Sequence, residues 1–309
     1  MSIIQAPETP LLELANGHSG AVLACKILNG GSTVVSSGLD AHLCIWDLDR
    51  SANYVVEIDR NQSAVTALDV VDGPFVAAGS ASSQIFLIDI ETGQSLRRYS
   101  GHKRAINQVR ALSKNQFISV SDDGSAKLWD SKQKRPVWEV STDFPFFTAA
   151  VPSQADHVVY VSGLEPVVRA YDLRQNSGQE LFSWQGHRSE SITSIDISSN
   201  RMMCSLAFDN EIHIDDAKMR PMRDSRTLGV IDANVGDNPN KFLLRNKFIK
   251  QDKLVMARGC LFDVTSQELL IDYTASIPTE VSVIDMDFDE QSQRAIMASE
   301  NGSLYLYKM

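Results

Sequence analysis

Two stretches of this chain carry the same polar residues at the same offsets from a tryptophan. In residues 101–130 a Gly-His pair leads into an alternating apolar run and then into Ile118-Ser119-Val120-Ser121-Asp122-Asp123-Gly124-Ser125-Ala126-Lys127-Leu128-Trp129-Asp130. This reads as strand, tight Asp-Asp-Gly turn and strand. Gly17-His18, Ser36, Asp40, Trp46 and Asp47 repeat the frame. The serine lies 10 before the tryptophan in both copies (46 − 36 and 129 − 119) and the turn aspartate 6 before it (46 − 40 and 129 − 123), with the histidine 28 and 27 before it. Spacing of this kind is hard to obtain by chance, and two copies in register mark a repeat.

The spacing has a physical reason. A buried indole N–H needs an acceptor. A serine hydroxyl on the neighbouring strand can accept it and donate onward to an imidazole, which donates to the turn carboxylate. Removing any member strands a buried polar group, at about 1–3 kcal/mol. A catalytic Ser-His-Asp triad is the rival reading of the same residues, but a trio that recurs in a structural repeat is scaffolding.

Gly-His…Ser…Asp…Trp-Asp resembles the WD repeat, whose unit is a four-stranded blade of a β-propeller with a period of about 40–45 residues. That resemblance implies an all-β fold, and the chain then divides into seven units. Positions equivalent to the tryptophan fall at 46, 88, 129, 171, 215, 262 and 307, at intervals of 42, 41, 42, 44, 47 and 45. The expected architecture is a seven-bladed WD-repeat β-propeller. Residues 1–10 form a tail, residues 11–309 form one domain, and the strand at Leu11–Leu14 completes the last blade so that no edge is left open.

The units differ in how much of the frame they keep. The complete tetrads are His18, Ser36, Asp40, Trp46 and His102, Ser119, Asp123, Trp129. The second blade has none, with Ala78, Ser82 and Ile88 in the serine, aspartate and tryptophan positions. The fourth has the frame Glu165…Tyr171-Asp172 and is introduced by Asp143-Phe144-Pro145-Phe146-Phe147, whose aromatics are either core or an exposed anchor. The fifth keeps His187, Ser205 and Asp209 but places Asp215 where tryptophan belongs, so water or a shifted neighbour replaces the indole. Residues 216–240 are the longest irregular stretch, of a length that is functional or mobile. The sixth has a shortened Arg258-Gly259 turn, and the seventh carries Asn301 and Tyr307.

Composition narrows the function classes. With 43% hydrophobic residues over 309, the chain can bury a large core. The net charge of −10, from 39 acids and 29 bases, weighs against broad nucleic-acid binding. Lys218, Arg220, Arg223 and Arg226 are a candidate local basic patch or a solvated loop. Cys25, Cys44, Cys204 and Cys260 show no Cys-x-x-Cys spacing and read as reduced and structural. No apolar run reaches membrane-spanning length and the N-terminus lacks a leader pattern, so the expected compartment is cytosol or nucleus. The six histidines are scattered, three of them used by the repeat, and neither a metal nor a cofactor is expected.

A narrower resemblance rests on Ile195-Asp196-Ile197-Ser198-Ser199, Ser205-Leu206-Ala207-Phe208-Asp209-Asn210, the Arg220-Pro221 connection, Asn240-Lys241-Phe242-Leu243-Leu244-Arg245 and the terminal Leu304-Tyr305-Leu306-Tyr307. These are similar to the WD-repeat subunits of the spliceosomal U5 small nuclear ribonucleoprotein. What that resemblance implies is a non-catalytic nuclear scaffold for pre-mRNA splicing, docked on the large protein that cradles the catalytic RNA and on other spliceosome subunits, with little direct nucleic-acid contact. A second reading comes from Tyr171-Asp172-Leu173-Arg174, which resembles the Trp-Asp-x-Arg box of substrate receptors for cullin-type ubiquitin ligases. A third, a propeller enzyme, needs convergent ionisable groups.

In propellers partners dock on the face bearing the turn between the two middle strands and the loop before each blade. Here that face would display Leu23, Leu39, Asn107, Asp122, Phe144, Phe146 and Phe208, with Leu39, Phe144, Phe146 and Phe208 as an apolar patch inside a polar rim. The alternative is that some of these fold back into the loops.

Overall fold

A computed structural model describes residues 9–58, 62–152, 157–175, 178–198, 200–218, 226–234, 238, 240–278 and 281–309. Positions 1–8 of the expected tail, and Arg220 and Arg223 of the expected basic patch, lie outside the described residues. The strands assemble into seven four-stranded antiparallel sheets, and the chain is a seven-bladed β-propeller.

The unit Thr66–Asp232 contains blades two to five. Blade two is Val65–Asp72, Phe75–Ser80, Gln84–Asp89 and Gln94–Ser100; blade three is Ile106–Ser113, Gln116–Ser121, Ser125–Asp130 and Trp138–Ser141. Blade four is Phe146–Ala150, Val158–Gly163, Val167–Asp172 and Glu180–Gln185; blade five is Ile192–Ile197, Met202–Ala207, Glu211–Asp216 and Thr227–Asp232. The unit Met1–Val65 with Ala233–Met309 contains the rest. Blade one is Val22–Leu28, Thr33–Gly38, His42–Asp47 and Ala52–Glu57, and blade six is Asn246–Ile249, Leu254–Ala257, Cys260–Asp263 and Leu269–Asp272. Blade seven is Val283–Asp289, Arg294–Ser299 and Leu304–Lys308, completed by Leu12–Leu14 in the register Leu12 to Leu306 and Leu14 to Leu304. The N-terminal strand thus covers an edge that would otherwise stay unpaired.

The repeat frame coincides with the strand register. Trp46, Ile88, Trp129, Tyr171, Asp215, Phe262 and Tyr307 all lie in the third strand of their blade, opposite Val34, Val76, Phe117, Val159, Met203, Val255 and Ala295. The partner is 12 residues earlier in six blades (46 − 34 in the first) and 7 earlier in the sixth (262 − 255), the measure of its trimmed turn.

Burial falls from the inside of each blade outward. Second and third strands are covered on both faces, as in Phe117-Ile118-Ser119-Val120, where every residue is at 0% exposure. Such strands read as continuous apolar runs rather than alternating ones. Fourth strands keep an open face: Tyr54, Leu96 and Leu228 are all at least half exposed. The core is therefore a series of layers between blades. One layer joins Tyr99 of blade two to Phe117 and Trp129 of blade three; another joins Leu14, Leu304 and Leu306 of blade seven to Val34 and Trp46 of blade one.

First strands leave one row of N–H groups without a strand partner, and side chains of the neighbouring blade accept them. Asp69 accepts from Ala111 N–H at 2.9 Å, Gln108 from Ala149 N–H at 2.6 Å and the Thr148 hydroxyl from Ile195 N–H at 2.9 Å. In the other unit Asp285 and Asp287 accept from Cys25 and Ile27 N–H at 2.9 and 2.8 Å.

The structure corrects one expectation here. Residues 216–240 are not wholly irregular, because they contain the fourth strand of blade five, Thr227–Asp232. Only Ile231 of that strand is buried, so no apolar alternation marks it.

Candidate protein interface

The turns that could meet a partner are held by the tetrads. In blade one the Trp46 indole donates to Ser36 Oγ at 2.9 Å, Ser36 Oγ lies 2.8 Å from His18 Nε2, and His18 Nδ1 lies 3.0 Å from Asp40 Oδ1. Blade three matches it, with Trp129 to Ser119 at 2.8 Å, Ser119 to His102 at 2.7 Å and His102 to Asp123 at 3.1 Å. A carboxylate only accepts, so Nδ1 carries the ring proton and the serine hydroxyl donates to Nε2.

Each carboxylate then pins the loop before its blade. Asp40 accepts from the backbone N–H of Ser19 at 2.9 Å, and Asp123 from that of Lys103 at 2.8 Å. Burial alone would raise both carboxyl pKa values. The imidazole, hydroxyl and backbone donors around them outweigh it, and hold Asp40 below and Asp123 well below the usual carboxylate range. Burial also lowers His18, with Asp40 opposing.

Blade five keeps His187 at 3.0 Å from both Ser205 and Asp209. An indole does come from next door, but to another acceptor: Trp184, on the fourth strand of blade four, donates to Asp215 Oδ2 at 3.1 Å. The neighbour thus serves the residue that replaces the tryptophan, and not the tetrad serine.

In five blades the residue directly after the second strand occupies an equivalent place. The N–H groups of Leu39, Asp122, Leu164, Phe208 and Glu300 donate to the carbonyls of Ala21, Ala105, Pro145, Ser191 and Ser282 at 3.0, 3.0, 3.0, 3.2 and 3.0 Å. Each turn is thereby fixed to the residues that open its own blade. Leu164 was absent from the candidate residues, yet it lies three after position 161, as Leu39 lies three after Ser36, and it is 45% exposed.

Within the unit Thr66–Asp232 these turns join into a strip. The Ser191 hydroxyl donates to the Leu164 carbonyl at 2.9 Å, while the Ser191 carbonyl accepts from Phe208; Leu164 in turn donates to Pro145, next to Phe144. Gly124, at φ +76°, admits the backbone of Thr142 and Phe144 where a Cβ would collide. Phe144, 45% exposed, is thus set beside the Asp122-Asp123-Gly124 turn.

Not every candidate residue reaches this surface. Leu39 is 49% exposed and Phe144 45%, whereas Leu23, Asp122 and Phe208 are half-buried. Phe146 is only 3% exposed because it starts the first strand of blade four and faces inward. Asn107 is buried as well, its amide donating to Asp122 Oδ1 at 2.7 Å and the Phe146 carbonyl at 2.8 Å. Both leave the expected patch, and Phe147 is half-buried.

The basic patch also changes. Arg226 is 8% exposed, its guanidinium 5.0 Å from the centroids of Phe182 and Trp184 and donating to the Asp216 carbonyl at 3.2 Å. It is a packing residue. In the Tyr171-Asp172-Leu173-Arg174 box Tyr171 is buried, and Arg174 is forked onto Asp172, with Nη2 to Oδ2 at 2.6 Å and Nε to Oδ1 at 2.9 Å. All four cysteines are buried as thiols, with burial pushing Cys44 up to about 12.

Comparison with known proteins agrees with this architecture. The WD40 family, described as "WD domain, G-beta repeat", matches residues 9–47 and 93–130, the two stretches with complete tetrads. The pre-mRNA-splicing factor cwf17 of Schizosaccharomyces pombe is 27% identical over 175 residues, 56% of this chain and 51% of that protein. The U5 small nuclear ribonucleoprotein 40 kDa protein of Pongo abelii is 26% identical over 314 residues, 99% of this chain and 84% of that protein. Telomerase protein component 1 of Mus musculus is 29% identical over 131 residues, 41% of this chain and 5% of that protein. The chain therefore spans about half the length of cwf17 but most of the Pongo abelii protein. Sheets, register and likeness agree: the chain is a seven-bladed β-propeller, two stretches of it match the WD repeat, and it resembles the 40 kDa protein of the U5 small nuclear ribonucleoprotein.

Proposed function

We propose that this protein is a non-catalytic interaction scaffold of the nuclear pre-mRNA splicing machinery, acting within the U5 small nuclear ribonucleoprotein. The observation that carries the reading is the exposed pair Phe144 and Leu164, bordered by the half-buried Phe208, with Leu39 at the equivalent turn of blade one: apolar side chains on turns whose backbones are hydrogen-bonded. Exposed apolar groups on a rigid support are what a protein partner buries. The likeness to the 40 kDa protein of U5 extends over 99% of the chain, which favours a splicing assembly as the destination. The partners of this reading are the large U5 scaffold protein and other spliceosome subunits. The Ser-His-Asp trios are spent on loops: each serine and imidazole is buried and already bonded within its tetrad, and none is presented to a substrate. Affinity purification of the tagged chain from its own cells tests the reading. Recovery of U5 proteins is the expected result; recovery of a cullin adaptor in their place would overturn it.

A further inference from the structure

We propose that blade five holds a divalent transition-metal site of the zinc class, built from His187, Glu211 and His213. In the third strand the residue two before the tryptophan position stands opposite the tetrad serine: Cys44 faces Ser36, Lys127 faces Ser119 and His213 faces Ser205. In blade one that residue is a thiol donating to the Gly17 carbonyl, and in blade three an ammonium paired with Glu139. In blade five, where no indole fills the space, the His213 ring lies against the His187 ring with centroids 4.0 Å apart. The indole of Trp129, by comparison, is 6.2 Å from His102.

The donors converge. Glu211 Oε2 is 2.9 Å from His213 Nε2, and one donor atom from each of His187, Glu211 and His213 lies within 4.8 Å of the other two. His213 is 8% exposed, and its Nδ1 is buried without a hydrogen-bond partner. A buried ring nitrogen left without a partner in a native fold calls for an explanation, and an ion held by Nδ1 itself is one. Drawing the wider separations in by up to about 1.5 Å, and opening the Glu211–His213 contact slightly, brings the set to the roughly 3.3 Å donor spacing of a tetrahedral ion with bonds of about 2.0–2.1 Å.

The ligand chemistry selects the ion. Two imidazole nitrogens and one carboxylate oxygen suit zinc and its first-row neighbours rather than magnesium or calcium, which take oxygen ligands. Three protein ligands leave one tetrahedral position for water. Glu211 is half exposed, so the set has a route to solvent. Both nitrogens of His187 are bonded, to Asp209 and Ser205. Coordination through Nε2 displaces only the Ser205 hydroxyl, which carries no indole here, and leaves Asp209 accepting from Nδ1 and orienting the ring. The ion would join the third strand to the loop before the blade, the link that the tryptophan makes elsewhere.

The test uses the full chain, stripped with chelator, titrated with Zn²⁺ by calorimetry and with Co²⁺ by visible absorption. One equivalent should bind, Zn²⁺ should raise the melting temperature, and Co²⁺ should show the spectrum of a nitrogen- and oxygen-ligated tetrahedral ion. His213→Asn and Glu211→Gln should each weaken binding by at least about tenfold, whereas His42→Asn, in blade one, should leave it unchanged. Absence of both the Zn²⁺ shift and the Co²⁺ spectrum in the unsubstituted chain overturns the proposal. So does binding of full strength in His213→Asn or, should that variant not fold, in Glu211→Gln.

Discussion

Blades three and five hold serine, histidine and aspartate at nearly the same distances, yet draw on an indole in different ways. In blade three Trp129 sits on the same sheet as Ser119, is fully buried, and meets Tyr99 edge-on at 5.6 Å and Phe117 stacked at 6.4 Å. In blade five the position belongs to Asp215, which takes its donor from Trp184 of the preceding blade, with Phe182 stacked on that indole at 6.1 Å and Tyr160 edge-on at 6.2 Å. What persists is the serine-histidine-aspartate chain and an aromatic layer between blades, not the residue that supplies the indole. The second blade makes the same point without any polar chain: Ala78 and Ile88 are at 0% exposure, and Tyr99 is its contribution to the layer around Trp129.

The contrast can be broken most forcefully at the core. Trp129→Ala removes an indole packed on two rings and should cost about 3–5 kcal/mol, read by chemical denaturation. Ser119→Ala should cost about 1–3 kcal/mol, since it strands both the indole N–H and the imidazole. Ser205→Ala strands only His187, so its loss should be smaller; equal losses would mean that the indole bond adds nothing. Trp184→Phe leaves Asp215 without that donor and should lower stability by about 1–3 kcal/mol.

Acid should weaken the tetrads in a defined window. Asp40 and Asp123 have native pKa values below their unfolded value of about 3.9, so their stabilisation is present above that pH and lost as pH falls below it. His18, lowered from 6.5, adds a loss that begins as pH falls through that value. Denaturation midpoints followed from pH 7 to 3 should decline, and Asp123→Asn should flatten the acid end of the curve. At the smallest end, Leu164→Asp should change stability by no more than about 0.5 kcal/mol, because the side chain rests on a turn rather than in a layer.

Much of this fold was legible in the chain because the repeat fixes the strand register. The seven positions from Trp46 to Tyr307 each fall on a third strand, including Ile88 and Phe262, where the polar frame is gone. The strand Thr227–Asp232 was not legible, since one buried residue leaves no period to detect. Nor were the contacts of Asp69, Gln108 and Asp285 with the next blade, because acceptors for backbone N–H groups carry no spacing of their own. Among the candidate interface residues, Leu39 and Phe144 could be named from their turns. Phe146 could not be told from Phe144, because the first strand of blade four begins between them and sends the second ring inward. Trp184 was hidden for a related reason: it serves blade five from a strand of blade four, and offsets counted within one repeat do not reach it.

The direct test of the central claim, that the fixed turns present a partner-binding surface separable from the core, is quantitative capture of splicing proteins by the unsubstituted chain and by the double variant Phe144→Asp/Leu164→Asp, with both melting temperatures measured. The variant should lose the U5 proteins and melt with the unsubstituted chain. Undiminished capture, or a collapse in melting temperature, would contradict the account.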